Sequence, residues 1–455
     1  MYKIRISISM ILIVICGGFV SAQSDQEPVS TEVFIYNESS DPAYGYRIPS
    51  MVTTTEGTLL AFAERRVGLH DHAQNDIVLR RSLNNGKTWK AEQVIAEDGL
   101  NSLNDPCAVV LDNERILLIY QKFPYGIHAR NSGWIQMADN GYDGPRNTRS
   151  YIIHSDDDGK TWSEAREITK MIRPSGKLSV GSPGRAIQLK RGKFKGRIIV
   201  PLYETRRLEG GSRDWQNSVA WSDDNGSTWN LSNEIPHSGH TGFGNEAQVA
   251  ELSDGSILFV ARNQGGKHRK YSISRDGGLT WDNMKLDFGL PGTACQGTIL
   301  RYSWPEEGES LLIQASPANM YGRSNGTVRI SMDEGETWKW SREVISGDYA
   351  YSCLTRLPDG NIGLLFETER YRTIAFISFS TEWVKQGDPA SEPYPYFTIP
   401  VVDLDQDLSR QVVVDREPGQ YLGHPTTLLL EDNKTILTTY PKGHGRGAIV
   451  YKKST

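Results

Sequence analysis

At 455 residues, with 50 basic against 55 acidic residues and a formal charge of −5, the chain has the length for a large core but lacks the basic surplus of a nucleic-acid binder. Its four cysteines lie too far apart in sequence to suggest a disulfide framework or a zinc site, so buried thiols in strands are expected.

The chain begins with Lys3 and Arg5 ahead of an apolar stretch from Ile6 to Val20, and Ser21-Ala22-Gln23 offers small residues for cleavage. A membrane-spanning helix wants about 20 apolar residues, so residues 1–22 are expected to be an export signal that sends the protein to the periplasm or outside the cell. Paired apolar runs joined by tight turns then recur. They are Pro49–Thr53 with Leu59–Ala63, Ala108–Leu111 with Ile116–Tyr120, and Ala186–Leu189 with Ile198–Tyr203, followed by Ala247–Leu252 with Ile257–Ala261, Gly297–Tyr302 with Leu311–Ala315, and Cys353–Leu357 with Ile362–Phe366. Glu56-Gly57, Asp254-Gly255 and Asp359-Gly360 supply turns suited to hairpins.

After each of the first five pairs a third run leads into one short pattern. Its copies are Ser82-Leu-Asn-Asn-Gly-Lys-Thr-Trp89, Ser155-Asp-Asp-Asp-Gly-Lys-Thr-Trp162, Ser222-Asp-Asp-Asn-Gly-Ser-Thr-Trp229, Ser274-Arg-Asp-Gly-Gly-Leu-Thr-Trp281 and Ser331-Met-Asp-Glu-Gly-Glu-Thr-Trp338. Glycine allows the positive φ of a tight turn, an Asp or Asn side chain bonds the backbone two residues on, and Thr-Trp returns the chain to a strand. The copies recur about every 62 residues, close to the length of one four-stranded blade. Residues 32–385 hold nearly six such periods, which predicts an all-β fold, a six-bladed β-propeller with four-stranded antiparallel blades. The sixth blade lacks a box; Thr373–Ser378 is its third strand, and Val33–Tyr36 can close it as the fourth. Residues 386–455 read as a proline-rich linker followed by a partial blade: His424–Leu430, Thr435–Tyr440 and a third strand from Ala448.

In an antiparallel blade the start of strand one and the end of strand two share a rim, with the boxes on the other. The boxes are therefore expected to be structural. The opposite rim gathers Arg47, Arg65, Arg66, Asp71, Asp105, Glu246, Arg262, Arg323, Tyr351 and Glu367. Trp134, in a long loop of the second blade, is open to either sugar stacking or core packing.

These segments resemble the sialidases, especially the secreted bacterial ones. Tyr46-Arg47-Ile48-Pro49 is similar to their Phe/Tyr-Arg-Ile-Pro motif, the boxes to their Asp-boxes, and Ala63-Glu-Arg-Arg66, Asn104-Asp-Pro106, Asn245-Glu-Ala-Gln248 and Tyr351-Ser-Cys-Leu354 to further family segments in the same order. The resemblance implies an exo-sialidase that removes terminal α-linked sialic acid from glycoproteins, glycolipids or oligosaccharides, with no metal, cofactor or stable protein partner. Arg47, Arg262 and Arg323 would grip the substrate carboxylate through planar forks, with Glu367 holding Arg47; Arg329 competes with Arg323 but lies within a strand. Tyr351 would be the nucleophile, Glu246 its base and Asp71 the general acid and then base, giving retention through a tyrosyl intermediate. Sialidases are the recognised tyrosine exception among glycosidases. Arg66 and Asp105 would contact ring substituents, and Arg65 would face away because neighbouring strand residues alternate. A non-catalytic sialic-acid-binding propeller and a trans-sialidase are the alternatives.

Overall fold

The computed structural model describes residues 28–238, 242–387, 409, 413–443 and 447–454. The expected export signal and most of the linker lie outside the described residues. The chain divides into two compact units, residues 1–396 and 397–455.

The first unit is a succession of antiparallel meanders. The first runs Tyr44–Thr53, Leu59–Val67, Asn75–Ser82, Gln93–Ala96, and the second Ser102–Val110, Ile116–Phe123, Arg149–Ser155, Arg166–Glu167. One parallel bridge, Asn75 to Ser102, joins these two into a single sheet. The third is built on Ile198–Arg207, Arg213–Ser222 and Asn230–Leu231. The fourth is Ala247–Glu251, Ile257–Ala261, His268–Ser274, Lys285–Pro291, and the fifth Thr298–Ser303, Leu311–Pro317, Ser324–Ser331, Trp340–Asp348. The sixth is Ser352–Arg356, Ile362–Thr368 and Thr373–Phe379, and its fourth strand comes from the other end of the chain: Val29–Ile35 pairs antiparallel with Thr373–Phe379.

Alternating strand residues pack each meander against the next. One buried cluster sits between the first and second (Leu60, Phe62, Leu118, Tyr120), another between the second and third (Val109, Ile119, Ile198, Val200), and the series continues through the fifth and sixth (Ile313, Val328, Leu364, Phe366). A further cluster joins the sixth to the first, with Phe34, Met51, Leu59, Leu365 and Phe376. The third meander departs from expectation. Its inner strand is broken into Ser179–Gly181, Gly184–Arg185 and Ile187–Gln188. Pro183 cannot donate to a ladder and Gly184 stands at φ +110°; Gly184–Arg185 instead runs parallel to Cys107–Ala108 of the second meander.

The five boxes behave alike. The Gly86, Gly159, Gly226, Gly278 and Gly335 amides donate to the serine hydroxyl four residues earlier at 2.8–2.9 Å, and all five glycines have φ between +76° and +91°. Each box acid or amide accepts from the threonine amide beyond it, as Asp157 does from Thr161 at 2.9 Å. Burial opposes the Asp157 charge, but these bonds win and hold its carboxyl down to about 2.

The second unit is one antiparallel sheet of Thr426–Leu429, Ile436–Pro441 and Ile449–Ser454.

Candidate active site

Two backbone irregularities shape the site. Ile48 and Asp105 both have φ +58°, both precede a proline, and both sit where the register with the neighbouring strand shifts. Such bulges re-aim side chains at a sheet end. Each bulge amide donates to a buried carboxylate of the preceding meander: Ile48 N to Glu367 Oε1 at 2.8 Å, Asp105 N to Glu64 Oε1 at 2.7 Å. Each carboxylate also holds an arginine. Glu367 accepts from Arg47 Nε at 2.7 Å and Nη2 at 3.2 Å, and Glu64 from Arg66 Nε at 2.8 Å.

Around this frame the rim residues converge. The Tyr351 hydroxyl donates to Glu246 Oε1 at 2.5 Å. Arg262 Nη1 donates both to Glu246 Oε2 at 2.7 Å and to the Tyr351 oxygen at 3.0 Å. The Arg47 and Arg323 guanidinium carbons lie 5.5 and 5.3 Å from the Tyr351 ring centre, so three arginines surround one phenol. Burial and the Glu246 charge push the phenol pKa well above its ordinary value, against the pull of Arg262 and Arg323. Tyr351 therefore rests protonated, in contact with Glu246.

Asp71 sits at the open side, its side chain 44% exposed, accepting from Arg66 Nη1 at 2.7 Å and 3.9 Å from Arg47 Nη1. Burial disfavours its charge, yet the Arg66 and Arg47 charges outweigh that and hold it far below the carboxylate range. Asp105 is the opposite case. Its Oδ2 accepts from Gln121 Nε2 at 2.5 Å and Tyr203 Oη at 2.8 Å, while burial and the Glu64 and Glu246 charges push its pKa up to about 8. Arg65 does face away, to Asp76 at 2.7 Å and Glu92 at 3.2 Å. Arg329 is buried within its strand and takes no part. Trp134 is 62% exposed against Tyr125, which excludes core packing.

Sequence reasoning missed Glu64, Gln121, Tyr203 and Tyr371. Glu64 was within reach, since Ile48-Pro49 and Asp105-Pro106 are equivalent and Glu367 already had a role. Tyr371 had no such signal: it follows two residues that, like it, have positive φ (Glu369 +51°, Arg370 +54°, Tyr371 +70°). That turn lays its ring 4.1 Å from the Arg47 guanidinium carbon, and its hydroxyl accepts from Arg323 Nη1 at 3.3 Å.

The family model of a BNR repeat-like domain matches residues 57–364. A sialidase of Paraclostridium sordellii is 31% identical over 383 residues, covering 77% of this chain and 88% of that one. The chain belongs to the bacterial-type sialidase family. A second sialidase, from Micromonospora viridifaciens, is 30% identical over 403 residues, and the match spans 84% of this chain but only 59% of the relative's length. Among solved structures, the Hadza microbial sialidase Hz136 superposes with a TM-score of 0.65 at 26% identity, over 75% of this chain and 66% of that one.

Proposed function

We propose that this sialidase is an exo-acting hydrolase on a six-bladed propeller, cleaving terminal α-linked sialic acid from glycans with retention. The observation that carries the reading is the 2.5 Å bond from the Tyr351 hydroxyl to Glu246 within the three-arginine cluster. The propeller reading rests on the cyclic packing, in which the sixth meander meets the first and Val29–Ile35 shares a sheet with Thr373–Phe379.

A sialoside carries a carboxylate on its anomeric carbon, and Arg47, Arg262 and Arg323 can hold it by charge-assisted forks. The same carboxylate would repel an anionic nucleophile, whereas a phenol arrives neutral. Tyr351 attacks the anomeric carbon as Glu246 takes its proton, and Arg262 stabilises the charge that develops on the phenolic oxygen. Asp71 must give a proton to the departing oxygen, yet it rests ionised. Substrate corrects this: a carboxylate on Arg47 both neutralises that guanidinium and adds a like charge beside Asp71, and each effect raises the Asp71 pKa. Water activated by Asp71 then opens the tyrosyl–sugar bond, and Glu246 returns the proton to Tyr351.

A fluorogenic aryl sialoside tests the reading on wild type and Tyr351→Phe. Wild type is expected to release free sialic acid, with Tyr351→Phe slower by at least ~10³-fold, as befits loss of covalent catalysis. Negligible turnover by both proteins would indicate a binding protein. An anhydro or transferred sugar as the product would indicate a transferase.

A further inference from the structure

Arg329 is the guanidinium that the active site leaves out. It stands in Ser324–Ser331, 5% exposed, and strand register sets Ile299, Gln314 and Arg329 abreast on one face of the fifth meander. That face packs on the fourth meander, Ile299 and Leu312 meeting Leu258, Val260 and Leu290. Arg269 comes from the opposite side, on the same face of His268–Ser274 as Tyr271 and Ile273, which pack against this cluster too. It is 2% exposed, and its guanidinium lies so close over Gly297 of the fifth meander that a Cβ there would stand 2.4 Å from the guanidinium carbon.

Asp287 faces Arg329, and the buried Tyr349 hydroxyl faces both charges, but among the described residues no carboxylate stands within ion-pair distance of either. Among the described residues, Arg269 makes one side-chain hydrogen bond, Nη2 to the Cys295 carbonyl at 3.2 Å, and Arg329 makes one, Nη1 to Gln314 Oε1 at 3.4 Å; neither forms an ion pair. Asp287 is the cross-strand neighbour of Arg269 and its charge acts on Arg329, but its oxygens accept from Gly289 N at 2.9 Å and Trp338 Nε1 at 3.2 Å. Arg269 Nε and Nη1, Gln314 Nε2 and Ser316 Oγ are buried without a partner. A buried charge left unpaired is costly, and burial pushes both guanidinium groups down to about 10.

We infer that this seam binds a small inorganic anion of halide size, chloride under ordinary conditions, between Arg269 and Arg329, with Gln314 Nε2 and Ser316 Oγ as further donors. The enclosure of the donors selects against a bulky acid. Arg329 also borders a groove of 790 Å³ between the two meanders, lined by Leu258, Tyr271, Asp287 and Trp338, which gives a route of entry. The meanders so joined carry Arg262 and Arg323, so the anion would brace the side of the active site where those arginines stand.

The test is bromide substitution, read by anomalous diffraction, together with melting temperature in chloride against gluconate at equal ionic strength. Expected are bromide between Arg269 and Arg329 and a Tm about 2–4 °C higher in chloride, an increment that Arg269→Gln abolishes. The Arg47–Arg262–Arg323 cluster serves as an internal reference. Bromide there, with only water between Arg269 and Arg329, would overturn the inference. So would the same increment in wild type and Arg269→Gln. Should that variant fail to fold, Arg329→Gln makes the same comparison, and the bromide map needs wild type alone.

Discussion

Asp71 and Asp105 are two aspartates of one site driven in opposite directions, Asp71 by arginines and Asp105 by neighbouring carboxylates and burial. For Asp71 the proposed role predicts a dependence on leaving group. Asp71→Asn should lose about 10²–10⁴-fold in kcat on natural sialosides, whose departing alcohols need a proton, and far less in the glycosylation step on activated aryl sialosides. Equal losses on both substrates, measured in single turnover, would remove it as the acid. For Asp105, burial and the Glu64 and Glu246 charges lift the folded carboxyl to about 8, above an unfolded value of about 4. The folded state then holds an extra proton between those limits, so stability falls as pH rises across that window. Asp105→Asn lacks this proton, so urea melts should show wild type losing stability relative to the variant from pH 4 to pH 8. A pH-independent difference would contradict the assignment. That these rim residues would come together was legible because strand ends are countable; the place of Tyr371 was not, because a left-handed turn has no periodicity to count.

The turn boxes show what a loud sequence feature is for. Gly226, at φ +85°, reaches across to the second meander, where an added Cβ would lie 2.7 Å from Leu117 Cδ1. Gly226→Ala is expected to cost about 1–3 kcal/mol from backbone strain and overpacking, read by chemical denaturation, with kcat retained by the folded fraction. Loss of activity without loss of stability would give the boxes a role that the fold does not. Strand positions were legible from apolar alternation, and so were the hairpins with Asp-Gly or Glu-Gly turns. The broken inner strand of the third meander was not, because Ala186–Leu189 carries the apolar residues of a strand while Pro183 and Gly184 decide the hydrogen bonding. The paired bulges at Ile48 and Asp105 were not read from the sequence, although a proline follows each, because their amide contacts to Glu367 and Glu64 join residues 319 and 41 positions apart. Only tertiary structure brings those together.

At the scale of the whole molecule, the spacing of the boxes and the orphan strand near residue 33 together anticipated that an early strand would complete the sixth sheet, and Val29–Ile35 does so. That pairing matters for the site, since Arg47 follows the closing strand by a dozen residues and is held by Glu367 from the sixth meander, while Tyr351 opens that same meander. In the proposed propeller, closing the circle is what sets a phenol among arginines drawn from the first, fourth and fifth meanders. Capture of the covalent intermediate tests this most directly. A sialosyl fluoride with a second fluorine beside the anomeric carbon slows both steps by destabilising an oxocarbenium-like transition state, while its good leaving group still lets the enzyme load. Peptide mass spectrometry should then find the fluorosugar on the peptide bearing Tyr351, and none in Tyr351→Phe. An adduct on a different side chain, or turnover of the reagent with no adduct at any time point, would contradict the account.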